Sequence, residues 1–231
     1  MKILAIDTSA LVATAALCED GTPIAVCSQK SGLTHSATML PIIKNIMDNT
    51  NTSIDDIDMF AVSEGPGSFT GIRIGIATVK GLAFGKNKIC IGVSTLEALA
   101  ENLVPFEGIL CPVMNARRGQ VYNALFRCKN GVTERLCPDR ALAVTELAAE
   151  LETLSAPFAL CGDGVAEFLR LAPNSTPIRI PASLEDQNAV SVAKVALRAF
   201  KKGESGTDAD LKPIYLRLPQ AERERLEKLK Q

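Results

Sequence analysis

Metal-binding side chains are scarce in this 231-residue chain, which carries a single histidine, His35. A catalytic zinc or iron centre ordinarily draws on two or three converging imidazole or carboxylate ligands. Met39 stands four residues beyond His35, so the helical His-x-x-x-His pair is broken. No Ser-His-Asp or Cys-His arrangement can be placed around His35 either. The seven cysteines are an odd number without a C-x-x-C pair. Most lie in apolar runs such as Ile109-Leu110-Cys111 and read as small buried hydrophobes in a reducing compartment. Charge of one sign is also missing, with 25 Lys and Arg against 26 Asp and Glu. That balance excludes the basic footprint of an autonomous nucleic-acid binder. No apolar run approaches the roughly 18 residues of a membrane span, and no leading segment reads as a signal peptide. The expected location is the cytoplasm, away from membranes.

What the chain does have is glycine in one place. Ser63-Glu64-Gly65-Pro66-Gly67-Ser68-Phe69-Thr70-Gly71-Ile72-Arg73-Ile74-Gly75 links an apolar strand-like segment (Met59 to Val62) to a periodic helix. Gly65-Pro66-Gly67 punctuates, and Thr70 is placed to cap the helix. A phosphate cradle is the first reading, since glycine-rich loops at helix N-termini bind anions. The spacing refuses it. Gly71 is followed by Ile72 and Arg73 where a Walker loop needs Lys and Ser or Thr, and Thr70 stands at the third glycine position of a dinucleotide fingerprint.

At about 100° per residue the segment from Gly71 to Gly85 shows three faces. Ile72, Ile76, Val79 and Ala83 form an apolar stripe expected in the core. Arg73, Ala77, Lys80 and Phe84 can meet solvent. Gly71, Ile74, Gly75, Thr78, Leu82 and Gly85 make a third face of small residues with two large aliphatics. Helical glycine costs about 0.5–1 kcal/mol relative to alanine, so the face requires a close neighbour. That neighbour is either another element of the same domain or a separate subunit.

Along the chain, three strands (2–7, 13–17, 23–27) precede a helix near 36–49 containing Pro41, the strand 59–62, the glycine helix, a strand at 88–93 and a short helix to Asn102. The pattern restarts with apolar runs at 108–116 and 121–126, helices at 144–154, 164–171 and 190–202, and a strand at 157–161. Two copies of antiparallel strands followed by alternating helix and strand predict a duplicated mixed-sheet α/β fold. The expected division is a lobe over 1–104, a smaller one over 105–217 with the helix at 190–202 free to pack back on the first, and a charged helix or tail over 218–231. Asp7-Thr8-Ser9, at the tip of the first strand, reads either as a phosphate-orienting group or as a strand-ending turn. The matching turn of the second half, Asn115-Ala116-Arg117-Arg118-Gly119, is too bulky for a phosphate nest. Gly162-Asp163-Gly164 is a weak anion contact or simply a turn.

Lys2 to Ser9, His35-Ser36 leading to Leu40-Pro41, the run Gly65 to Arg73, Ala116 to Tyr122 and Pro213-Ile214-Tyr215-Leu216-Arg217 together resemble the TsaB family across nearly the whole chain. The resemblance implies an actin-like, hexokinase-like (ASKHA) fold of two lobes, the second reduced. It implies no catalytic residues, no metal and no cofactor of its own. The implied role is a non-catalytic activating subunit that pairs with the paralogue TsaD, and with the ATPase TsaE, for threonylcarbamoyl transfer to the adenosine beside the anticodon of tRNAs reading A-starting codons. ATP and metal are then expected on those partners, tRNA is reached only through the complex, and the isolated chain is expected to form a homodimer through the same helices. Partner contacts are expected at Met39, Ile43, Gly71, Ile74, Gly75, Thr78 and Leu82, with Asp7, Thr8 and Ser9 a vestigial nucleotide site. Asn115 and Gln120 stand where the family pattern has aspartate and commonly glutamate. The competing reading is an ATP-binding small-molecule kinase of the same superfold, and a weaker one is a metallopeptidase.

Overall fold

Residues 1–217 are described by a computed structural model; the charged stretch expected as a terminal helix or tail over 218–231 lies outside the described residues. Strands β1 (Lys2–Asp7), β2 (Ala13–Glu19) and β3 (Thr22–Gln29) form an antiparallel meander, followed by helix α1 (His35–Thr50). β4 (Met59–Gly65) then pairs parallel to β1, α2 (Phe69–Ala83) crosses over, and β5 (Ile89–Ser94) pairs parallel to β4, giving the order β3-β2-β1-β4-β5. The apolar runs that read as strands are strands because both faces of this sheet are covered. Leu4, Ile6, Phe60 and Val62 pack under α1 and α2, and Ile3, Ala5, Met59 and Ala61 face the other way. The predicted stripe of α2, Ile72, Ile76, Val79 and Ala83, is buried throughout. A fully buried isoleucine such as Ile72 contributes about 1.5–3 kcal/mol of transfer free energy. The helix cap is Ser68 rather than Thr70: the Ser68 hydroxyl accepts the Gly71 N–H at 3.2 Å. Pro41 lies inside α1 on its exposed side, and the helix runs on past it.

After α3 (Thr95–Asn102) the plan repeats. β6 (Gly108–Arg117) takes the place of β1. The run expected as one strand is two, β7 (Gln120–Asn123) and β8 (Phe126–Lys129), which pair antiparallel with β6 in one register from Gly108 to Asn115, interrupted at Ala124-Leu125 and shifted by one residue at Arg117. β9 (Val132–Arg135) pairs with β8 and β10 (Arg140–Ala143) with β7, together standing where β3 stands in the first copy. Helix α4 (Val144–Leu154) leads to β11 (Phe158–Cys161), parallel to β6 as β4 is to β1, and α5 (Val165–Leu171) follows. A fifth strand survives only as one parallel bridge, Ala159 to Ile178. The second lobe is therefore a reduced copy of the first.

Helix α6 (Ala189–Lys201) leaves the second lobe and lays Val192, Ala193 and Ala196 on the free face of the first sheet, against Ile3, Ala5, Ala16 and Met59. α3 packs beside it, and Leu96 and Leu99 of α3 join a core shared with Leu110, Met114 and Cys161 of the second lobe. The lobes thus meet through α3, leaving a cleft above the tips of β1, β4 and β6.

Candidate functional site

The cleft has a volume of about 310 Å³. Its floor on the first lobe is the β1–β2 turn (Ser9, Ala10) and the loop Pro66 to Phe69; across it lie Asn115 to Arg117, Tyr122 and Asp163 of the second lobe. Residues 214–217 cross its mouth, so both tyrosines of the chain, Tyr122 and Tyr215, line it.

Asp7 is not open to this space. Its carboxylate is buried and accepts the Ser9 N–H at 2.7 Å, the Ser9 hydroxyl at 2.6 Å and the Ser63 hydroxyl at 2.5 Å. Burial pushes its carboxyl above the ordinary range, with the Ser63 and Ser9 hydrogen bonds and the charge of His35 opposing that push. Ser9 presents its carbonyl to the Ser68 N–H at 2.7 Å. Thr8 turns its hydroxyl back to donate to the Gly71 carbonyl at 2.8 Å. The polar groups of Asp7-Thr8-Ser9 are thus engaged within their own lobe, as a strand-ending turn would engage them.

The same contacts correct the expectation for the helix glycines. A Cβ on Gly71 would collide with the Thr8 carbonyl, and one on Gly75 would lie 2.5 Å from the Thr8 hydroxyl and 3.3 Å from Val62 Cγ2. The close neighbour that the small face demands is Thr8 of the same chain, just past the end of β1, so neither glycine offers its surface to a partner. Met39 is likewise core, 1% exposed. Ile74 and Thr78 are half-buried, the Thr78 hydroxyl donating to the Ile74 carbonyl at 2.8 Å. Ile43 and Leu82 come together: with Leu40, Pro41, Met47 and Ile54 they line an apolar groove of about 630 Å³ between α1 and α2, outside the cleft. Leu40, left out of the partner set by the sequence reading, is 55% exposed there.

In the second lobe Asn115 donates its N–H to Asp163 at 3.0 Å, and its side-chain oxygen accepts the Arg117 N–H at 2.7 Å. Burial raises the Asp163 carboxyl, and the Asn115 N–H and the charge of Arg117 oppose it. Aspartate at 115 would set a second charge on this turn; asparagine keeps the acceptor without it. Gln120 opens β7 opposite Arg117 and Ala143. His35 places Nε2 2.7 Å from the Ala10 carbonyl. Among the described residues no three His, Cys, Asp or Glu side chains converge as a metal site, and no helix is long and apolar enough to cross a membrane.

One cluster had no clear signal in sequence. Phe69 and Tyr215 stack with centroids 4.6 Å apart, Arg73 lies 3.8 Å over the Phe69 ring, and its Nε donates to the Tyr215 hydroxyl at 2.7 Å. The hint available was that Phe69, Arg73 and Tyr215 all fall in segments carrying the family resemblance, 65–73 and 213–217, with nothing local to say that the two segments meet.

Two related lobes around a cleft, with a glycine-rich loop leading from β4 into α2, define a duplicated two-lobed α/β fold. The chain is 31% identical over 230 residues to the TsaB protein of tRNA threonylcarbamoyladenosine biosynthesis from Bacillus subtilis, covering 100% of both, and 31% identical to its Escherichia coli counterpart, covering 94% of this chain and 95% of that one. A profile described as TsaD, tRNA N6-adenosine threonylcarbamoyltransferase, matches residues 26–222. The chain belongs to the family this profile describes and, within it, to the TsaB proteins of tRNA threonylcarbamoyladenosine biosynthesis. The solved structure of YeaZ from Pseudomonas aeruginosa is similar as well, with a TM-score of 0.81 at 25% identity over 93% of this chain and 99% of that one.

Proposed function

We propose that this chain is the non-catalytic activating subunit of the threonylcarbamoyl transfer machinery, working with a TsaD transferase and a TsaE ATPase on tRNAs that read A-starting codons. The observation that carries the reading is the sealing of Asp7. The carboxylate at the head of β1, where an enzyme of this fold would meet a metal-bound phosphate, spends its acceptors on Ser9 and Ser63. The α1–α2 groove supplies an apolar surface for a helical partner, with Leu40 and Leu82 as anchors over a floor that includes the buried Ile43. The same groove serves a second copy of the chain when TsaD is absent. ATP and metal belong to the partners, tRNA is met through the complex, and the assembly works in the cytoplasm.

The test is a reconstituted modification assay with TsaD, TsaE, ATP, threonylcarbamoyl adenylate and tRNA, with and without this chain. Full modification in its absence would overturn the proposal. The kinase reading would return if calorimetry gave ATP-binding heat that Asp7→Ala removes.

A further inference from the structure

The segment that closes the described chain is attached to both lobes. Leu211 is buried with the α1–α2 core. From Lys212 to Arg217 the backbone forms no helix or strand. Ile214 donates its N–H to the Glu64 carbonyl at 2.7 Å, and a Cβ on Gly65, held at a φ of 129°, would run into the Ile214 carbonyl. Tyr215 is then gripped by Phe69 and Arg73 at the first turn of α2. Two residues on, Arg217 crosses to the second lobe and donates to the Ala116 carbonyl of β6. The Tyr215 and Arg217 fastenings lie at the cleft mouth, made by side chains that are at least partly exposed.

We propose that residues 212–217, anchored at the buried Leu211, are a releasable clasp that holds the two lobes at one opening of the cleft. A segment held by a strand ladder would separate only with its sheet. Over 212–217 the fastenings described are the Ile214 backbone bond, the Tyr215 ring and hydroxyl against Phe69 and Arg73, and the Arg217 guanidinium; none belongs to a strand ladder, so the segment can leave while both lobes stay folded. Domain closure around a cleft is the characteristic motion of two-lobed proteins, and a clasp across the mouth sets its amplitude. Because Phe69 and Arg73 belong to α2, whose far end lines the apolar groove, occupancy of the groove and release of the clasp bear on one rigid element. The clasp itself rests only on contacts within this chain.

Hydrogen exchange on the full chain tests it, comparing the wild type with Tyr215→Ala, Tyr215→Phe and Arg217→Ala. Release predicts exchange at least tenfold faster over 212–217 and over 114–118 across the cleft in Tyr215→Ala and Arg217→Ala, with β1, β2 and α6 unchanged. Tyr215→Phe keeps the ring and loses the acceptor for Arg73, and is expected to fall between. Acceleration confined to 212–217 would overturn the proposal by showing a segment that decorates one lobe. Acceleration reaching β1 and α6 in Arg217→Ala would overturn it too, because the segment would then be part of the common core.

Discussion

Thr8 illustrates how one small residue organises its surroundings. Its carbonyl and hydroxyl occupy the space that side chains on Gly71 and Gly75 would need, and its hydroxyl bonds back to the Gly71 carbonyl. Because the obstacle at Gly71 is backbone, relaxation is costly: Gly71→Ala is expected to destabilise by about 1–3 kcal/mol, seen as a lower urea midpoint at unchanged slope. Asp7 makes a second prediction. Its folded-state carboxyl sits above the ordinary aspartate value of about 3.9, so the native state binds more protons than the unfolded state just above that pH. Stability contributed by this residue therefore falls as pH rises from near 4 through its folded pKa. Asp7→Asn, which keeps an acceptor and carries no charge, is expected to flatten that part of the curve; unfolding midpoints between pH 4 and 7 compared with wild type check the sign.

Among the elements, most of the first lobe was legible because β1, β2 and β4 are buried on both faces and read as continuous apolar runs. β9 and β10 were not, because they are short, half-exposed edges with residues such as Thr133, Glu134 and Arg135, which carry no period against a loop background. The three faces of α2 were readable, but small residues announce only that something lies close, not which chain it belongs to; that ambiguity put Gly71 and Gly75 on a partner surface when they face Thr8 of their own chain. The cap moved from Thr70 to Ser68 because the helix begins two residues earlier than its apolar period. Ser68→Ala is expected to cost about 1 kcal/mol by chemical denaturation. The α1–α2 groove needs a different readout. Leu82→Asp leaves a half-exposed position without an apolar contact but costs the core little, so the melting temperature should hold within a few degrees while co-elution with TsaD is lost. Unchanged co-elution would remove the groove from the partner interface.

At the scale of the molecule, the duplication was visible in the sequence as a pattern that restarts at Gly108, whereas the closing contacts between remote segments were not, since no local period encodes them. α6 supplies the far face of the first sheet from nearly a hundred residues downstream of β5. Residues 1–104 alone would leave Ile3, Ala5, Ala16 and Met59 uncovered, so that fragment is expected to lack a cooperative unfolding transition by circular dichroism, while the full chain shows one. The same geometry has a consequence during synthesis. At about 5–20 residues per second, the interval between completion of β5 and emergence of α6 is on the order of 5–20 s. Throughout it the nascent sheet presents an oily face that α3 covers only in part, a surface open to non-native association until α6 arrives.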